Sequence, residues 1–147
     1  MTPYLIITDE MTHALTLAAK RGVDVRIITP GIPDKKQIYN ITRSFYHGLV
    51  KDGVRIYEWT PGFCHAKMSV ADDCMATCGT INLDYRSLYH HFENGCFMTD
   101  CDAVLDIRND LEATMKECRE VTEKYRVGRS AYLRLGQLFM RLFAGLL

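Results

Sequence analysis

The spacing of apolar side chains in the first part of the chain switches between a strand-like and a helix-like pattern. Apolar residues recur at intervals of three and four over 9–21 and 36–51, which predicts two amphipathic helices. Thr8 or Asp9 can cap the first helix, and Gly22 can end it. Short apolar runs at 3–7, 23–27 and 54–59 are typical of strands. The order strand, helix, strand, helix, strand predicts an α/β fold in which crossover helices cover a mixed, largely parallel sheet.

The second part of the chain predicts a hairpin followed by a long helix. A strand over 66–71 reaches the turn Asp72-Asp73, and the apolar run 75–78 returns beside it. A further strand is expected over 92–98. A helix is then predicted from Asp102 to about Tyr125, with an apolar stripe at Val104, Ile107, Leu111 and Met115.

The last twenty residues form a separate segment, 128–147, which follows the predicted domain 1–127. As a helix, this segment has a narrow face with Arg134 and Arg141 and a broad apolar face. The two internal arginines disfavour a spanning helix and favour one that lies in a membrane interface. The alternative is that the apolar face packs on this domain or on a partner domain.

Composition restricts the class of protein without identifying it. The chain has 147 residues, enough for one domain, and its eighteen basic residues balance eighteen acidic ones. This balance gives no overall attraction to nucleic acid, although a local basic cleft could still form. The six cysteines lack the spacing of a disulfide framework, so we expect reduced thiols. A zinc site that uses Cys74 and Cys78 is disfavoured because no CxxC or HxxxH partner accompanies them.

The stretch 65–82 places several polar side chains where they can meet. On a strand, His65 and Lys67 point to the same side, so an imidazole lies beside a cation. Gly79 allows a sharp turn after the returning strand. Thr80 and Asn82 can then bring a hydroxyl and an amide near the imidazole and the ammonium. Imidazole, ammonium, hydroxyl and amide groups together suit a phosphate group.

The same stretch resembles the HxKxxxxDxxxxxxG(S/T)xN signature of the phospholipase D superfamily. All the fixed positions are present, namely His65, Lys67, Asp72, Gly79, Thr80 and Asn82. Four further stretches look like the C-terminal half of bacterial cardiolipin synthases: TPY at 2–4, RGVDVRIITPG at 21–31, GVRIYEWTPGF at 53–63 and NLDYRS at 82–87. The resemblance covers nearly the whole chain and is weakest after about Tyr125. It implies a phospholipase D-like fold that forms one half of a two-motif pseudo-dimer.

The resemblance also implies roles for the site residues. His65 attacks phosphorus or protonates the leaving oxygen of a phosphodiester, and a phosphohistidine is the intermediate. Lys67 and Asn82, with help from Thr80, hold the phosphate oxygens. Asp72 belongs to the implied catalytic set, although its distance along the strand favours a structural role.

Two further implications concern groups outside the fixed positions of the signature. Glu93 matches a glutamate of the synthases and could hydrogen-bond a catalytic imidazole; a solvent-exposed strand charge is the alternative. The mechanism needs no metal and no cofactor.

The implied reaction is phosphatidyl transfer from one phosphatidylglycerol molecule to another, at the cytoplasmic side of the cell membrane. The family carries two motifs in one polypeptide, whereas this chain has one. A homodimer or a partner chain with the first motif could complete the site. The alternatives are a single-motif nuclease or phosphodiesterase homodimer that binds nucleic acid, and an inactive fragment or interaction module.

Overall fold

The computed structural model describes residues 1–127 and Phe139. Helices and strands alternate through this part of the chain, and a π-helical turn lies at Arg86–His90. The helices are α1 (Asp9–Lys20), α2 (Lys36–Val50), α3 (Asp102–Lys116) and α4 (Thr122–Arg126). The strands are β1 (Leu5–Ile6), β2 (Arg26–Pro30), β3 (Arg55–Trp59), β4 (Met68–Ala71), β5 (Met75–Gly79), β6 (Leu83–Asp84), β7 (Gly95–Thr99) and β8 (Cys118–Glu120).

The first two helices begin and end where the local signals predict. Thr8 Oγ1 accepts a hydrogen bond from Met11 N at 3.1 Å, which caps α1. The chain leaves α1 through Gly22, whose φ of +95° favours glycine. In α2 the apolar stripe is buried, with Ile41, Phe45 and Leu49 at its centre. The apolar spacing within each helix thus matches the face that packs towards the core.

The strands combine parallel and antiparallel pairs, so the mixed α/β class is confirmed. β1 pairs with β6 and β2 with β3 in parallel, whereas β3–β8, β4–β5 and β5–β7 are antiparallel. Fewer strand pairs are therefore parallel than the predicted largely parallel sheet would have. The reason is local, because the tight turn at Asp72-Asp73 joins neighbouring strands and a tight turn can only reverse the chain.

The N-terminal residues connect the separate ladders. Thr2 N donates to Ile28 O at 3.0 Å, and Met68 N donates to Met1 O at 3.2 Å. The segment before β1 thus lies between β2 on one side and β4 on the other. This arrangement brings the 65–82 stretch alongside the α/β half of the domain.

Most of the core lies between the two N-terminal helices and the central strands. Its members are buried side chains in or next to β1, β2, α2, β3 and α4, including Leu5, Ile7, Tyr46, Leu49, Val54, Ile56 and Tyr125. A second cluster of Ile28, Tyr57 and Leu111 receives Met68 and Val70. Met68 and Val70 of β4 therefore face the core.

The predicted long helix over 102–125 is wrong after Lys116. The chain forms β8 at Cys118–Glu120, which pairs with β3, and only then enters α4. The apolar stripe supports a helix up to Met115. Beyond it, Arg119 and Glu120 bond to Glu58 and Arg55 of β3, so contacts distant in sequence override the helical pattern.

The predicted segment 128–147 lies outside the described residues, apart from Phe139. Among the helices that the structure describes, none has the length and apolarity needed to cross a membrane.

Candidate active site

The antiparallel ladder brings the two ends of the 65–82 stretch together. His65 and Lys67 lie just before β4, and Gly79 N donates to Lys67 O at 3.2 Å. Thr80 N then donates to Asn94 O at 2.8 Å, next to the start of β7. A hairpin with this register necessarily returns the end of the stretch to its beginning, which is the arrangement that the motif requires.

Gly79 is required by the close approach of β7. A Cβ atom built at this position would overlap the Asn94 carbonyl oxygen and the Gly95 Cα. Both obstacles are backbone atoms, so no side-chain rotation relieves the overlap. Glycine here lets Thr80 sit directly against Asn94.

The polar residues of the motif line one open cleft of about 460 Å³, which we call the motif cleft. Its walls comprise His65, Ala66, Lys67, Met68, Cys78, Gly79, Thr80 and Asn82. The structure therefore brings together the imidazole, ammonium, hydroxyl and amide groups that the sequence predicts. Tyr4 and Phe63 flank the imidazole, with ring centroids 6.4 Å and 5.8 Å from that of His65.

Lys67 lies in contact with His65. Its Nζ is 3.0 Å from each ring nitrogen and donates to the His65 carbonyl oxygen at 2.8 Å. An ammonium can donate only to an unprotonated ring nitrogen, so at most one of the two ring contacts is a hydrogen bond to a neutral imidazole. Partial burial lowers the pKa of Lys67, whereas the nearby carboxylates of Glu93 and Asp84 oppose this effect.

Glu93 is held by two hydroxyl groups. The Thr80 hydroxyl donates to Glu93 Oε2, and the Ser87 hydroxyl donates to Glu93 Oε1 at 2.8 Å. These two hydrogen bonds lower the pKa of Glu93, and the bond from Thr80 contributes more than the bond from Ser87. The predicted hydrogen bond from Glu93 to a catalytic imidazole is not present among the described residues. Instead, the carboxylate fixes the segment that carries Thr80.

The Thr80 hydroxyl is occupied by this arrangement. Its single hydrogen points to Glu93 Oε2, and its oxygen accepts the Asn94 N–H at 2.9 Å. Thr80 lines the motif cleft as predicted, but its hydroxyl has no uncommitted hydrogen for a phosphate oxygen. The phosphate-binding role of Thr80 stays a prediction that requires this hydroxyl to turn.

Asn82 carries a buried polar atom without a partner. Its Oδ1 is inaccessible to solvent and has no hydrogen-bond partner among the described residues. Such an acceptor costs about 1–3 kcal/mol until a donor reaches it. The amide nitrogen of the same side chain could donate to a phosphate oxygen in the motif cleft.

Asp72 lies away from this group. It occupies the β4–β5 turn with a φ of +51°, at the opposite end of β4 from His65. It lines a different cavity of about 360 Å³, together with Arg26 and Arg108. The structure does not place Asp72 with the predicted catalytic set because a strand separates the two ends of the hairpin. Its position supports the structural alternative.

Sequence reasoning missed Ser87 as a site-supporting residue. Ser87 is buried, and its N–H donates to Asp84 Oδ1 at 2.7 Å at the start of the π-helical turn. The only sequence signal is its place in NLDYRS, the stretch that follows Asn82.

Within residues 1–127 and Phe139, no three His, Cys, Asp or Glu residues are grouped so that they could hold a metal ion.

The relationship to known proteins agrees with this geometry. Residues 1–115 match the family described as "Cardiolipin synthase, PLD-like domain". The chain belongs to this PLD-like family. Over 146 residues it is 35% identical to cardiolipin synthase 2 of Bacillus cereus, covering 99% of this chain and 28% of the relative. It is 51% identical over 147 residues to an uncharacterized protein of Streptococcus mutans, covering all of this chain and 32% of that protein. The PLD-like chain thus spans about a third or less of the length of these relatives.

Solved structures share the PLD-like fold. Nuc from Salmonella typhimurium, a phospholipase D family member, superposes with a TM-score of 0.70 at 17% identity, covering 82% of this chain and 78% of Nuc. Phosphatidylserine synthase of Haemophilus influenzae gives a TM-score of 0.73 at 17% identity, covering 99% of this chain and 38% of the synthase. At these identities the likeness shows the fold alone.

Proposed function

We propose that this chain is one catalytic half of a cardiolipin synthase-like phosphatidyltransferase. The observation that carries the proposal is the motif cleft, where His65, Lys67 and Asn82 face one open space. A nucleophilic imidazole beside an ammonium and an amide is suited to a phosphodiester. The lipid substrate is supported by the cardiolipin synthase relatives, not by the cleft itself.

In the proposed reaction, the His65 imidazole attacks the phosphorus of phosphatidylglycerol. The bond from phosphorus to the glycerol headgroup oxygen breaks, and glycerol leaves after it receives a proton from a facing acid. The hydroxyl of a second phosphatidylglycerol then gives its proton to the deprotonated facing group, and its oxygen attacks the phosphohistidine. The phosphorus–nitrogen bond breaks, which yields cardiolipin and restores both His65 and the facing acid. Lys67 and the Asn82 amide stabilise the charge on the five-coordinate phosphorus.

The facing acid must come from a second motif. His65 is exposed and the motif cleft is open, so another imidazole can approach from solvent. We propose a homodimer with its twofold axis through the site, or a partner chain with the complementary motif. The same proposal places the reaction at the cytoplasmic face of the membrane, with segment 128–147 binding the membrane interface.

A second candidate is a phosphodiesterase homodimer that acts on nucleic acid. It is favoured by the match to Nuc, which covers similar shares of both chains, so a chain of nearly this length adopts the whole fold. The equal numbers of basic and acidic residues weigh against it. This candidate predicts cleavage that weakens steeply as salt concentration rises.

The test is cardiolipin formation on phosphatidylglycerol liposomes, measured by mass spectrometry. We expect product from the unchanged protein and from the control His13→Ala, whose side chain lies exposed on α1, and none from His65→Ala. Product from His65→Ala would show that His65 is not the nucleophile. No product from the unchanged protein would exclude a self-sufficient synthase. Salt-sensitive DNA cleavage would then support the second candidate, and its absence would leave a half-site that needs a partner chain, or the inactive fragment or module.

A further inference from the structure

Two cysteines stand directly opposite each other beside the motif cleft. The β5–β7 ladder pairs Cys78 with Cys96, and both side chains are exposed. Residues directly opposite in an antiparallel pair project to the same face of the sheet. Because the two cysteines are far apart in sequence, the spacing of cysteines alone does not predict that they are neighbours.

The hydrogen bonds at the two ends of the ladder define the type of this pair. Thr80 N donates to Asn94 O, and Asp100 N donates to Cys74 O. Counting in steps of two from either end makes Cys78 and Cys96 a hydrogen-bonded pair, for which the Cα atoms lie about 5.5 Å apart. Disulfides span Cα distances of about 4.4–6.8 Å, so the two backbones lie within bridging range. The Cβ atoms of such a pair are about 5.5 Å apart and must approach to about 4.5 Å or less, which requires a small shift of the strands.

We propose that Cys78 and Cys96 form a reversible disulfide site for low-molecular-weight disulfides such as oxidised glutathione, in which Cys96 clears adducts from Cys78. The Cys78 thiolate attacks one sulfur of oxidised glutathione, forming a mixed disulfide and releasing one glutathione. The Cys96 thiolate then attacks the Cys78 sulfur and releases the second glutathione. The two protons lost by the protein thiols end on the two released glutathione thiols.

The position of Cys78 gives this second step its consequence. Cys78 borders the motif cleft, but it is paired with Met68 and its side chain therefore projects to the face of the hairpin opposite to that of Lys67. A glutathione group attached there would add bulk at the rim of the space proposed for substrate. A thiol held opposite the adduct has an effective concentration on the order of mM or higher, which favours its removal. The resulting disulfide stays within the ladder and leaves the cleft open.

The remaining cysteines are poorer competitors for the same reagent. Burial raises the pKa of Cys64, and burial raises that of Cys118 to about 11, so both hold little thiolate near neutral pH. Cys74 is only partly exposed, and its thiol donates to the Ala71 carbonyl oxygen at 3.7 Å. Cys101 is exposed but precedes α3 outside the ladder. It therefore serves as a matched control.

The experiment treats the reduced full chain with oxidised glutathione and maps the products by peptide mass spectrometry. We expect the unchanged protein and Cys101→Ser to lose two hydrogens through a Cys78–Cys96 link, with no glutathione on Cys78. Cys96→Ser should instead keep one glutathione on Cys78.

Three outcomes would overturn the proposal: stable glutathione on Cys78 of the unchanged protein, a link between other cysteines, or an unreactive Cys78 in folded Cys96→Ser. Circular dichroism checks the fold of the variants. If a variant does not fold, the peptide map of the unchanged protein still decides. None of these readouts depends on the enzyme activity, so the proposal stands or fails separately from the proposed function.

Discussion

Replacing Arg43 with methionine should expose the cost of a buried carboxylate in β3. The side chain of Glu58 is fully buried, and Arg43 donates to its Oε1 from Nε at 2.9 Å and from Nη2 at 2.7 Å. Arg119 supplies the other bond, to Oε2 at 2.8 Å, but its side chain is 57% exposed. Glu58 therefore joins α2 and β8 to the strand that leads into the 65–82 stretch.

The size of the effect follows from what remains after the change. Loss of one partner from a buried ion pair costs about 3–5 kcal/mol, because it leaves a charge without compensation. Arg119 still contacts Glu58, so we expect the lower end for Arg43→Met, about 3 kcal/mol. Arg119→Met removes one bond from a well-solvated side chain and should cost only about 1 kcal/mol.

The assay is urea unfolding of both variants, followed by circular dichroism. With a slope of roughly 1–3 kcal/mol per molar, Arg43→Met should lower the midpoint by about 1–3 M. The double variant Arg43→Met/Glu58→Leu should be more stable than Arg43→Met alone, because it removes the uncompensated carboxylate. Equal losses for Arg43→Met and Arg119→Met, or no recovery in the double variant, would refute the reasoning.

Three further predictions concern the motif cleft. Gly79→Ala should destabilise the fold by about 1–3 kcal/mol in urea unfolding, because the added Cβ meets backbone atoms. The control Gly48→Ala in α2, where an added Cβ meets nothing, should stabilise the fold by about 0.5–1 kcal/mol; equal effects of the two changes would contradict this reasoning. Since burial lowers the pKa of Lys67, activity should fall at high pH with its deprotonation, and Lys67→Arg should move this limb to higher pH; an unmoved limb would assign it elsewhere. The hydrogen bonds from Thr80 and Ser87 depress the pKa of Glu93; they stabilise its carboxylate at pH values above its ordinary pKa, and this stabilisation is lost as pH falls through the folded pKa. Ser87→Ala should therefore raise the pKa of Glu93 in an NMR titration, and an unchanged value would contradict the contact.

Local sequence determined the elements and the first part of the motif. Thr8 and Gly22 delimit α1 because capping and a positive φ depend on residues within one turn. His65 and Lys67 meet because they are two positions apart in extended chain. These features need no information about distant residues, which is why spacing alone predicted them.

Tertiary structure decided which segments lie beside one another. Strand β8 exists because Arg119 and Glu120 find partners on β3, against a helical pattern in their own sequence. Likewise, Glu93 bonds to Thr80 and Ser87 instead of to an imidazole, since the π-helical turn brings Ser87 to the carboxylate.

Strand register sets the positions of Asp72 and of the two cysteines. A hairpin sends Asp72 to the far end of β4, whereas the β5–β7 ladder sets Cys78 opposite Cys96. Register is determined by hydrogen bonds and packing between strands, and the spacing of residues within one strand does not specify which residue of the next strand it faces. The sequence alone therefore predicted the groups of the motif cleft, and only the tertiary structure showed what surrounds them.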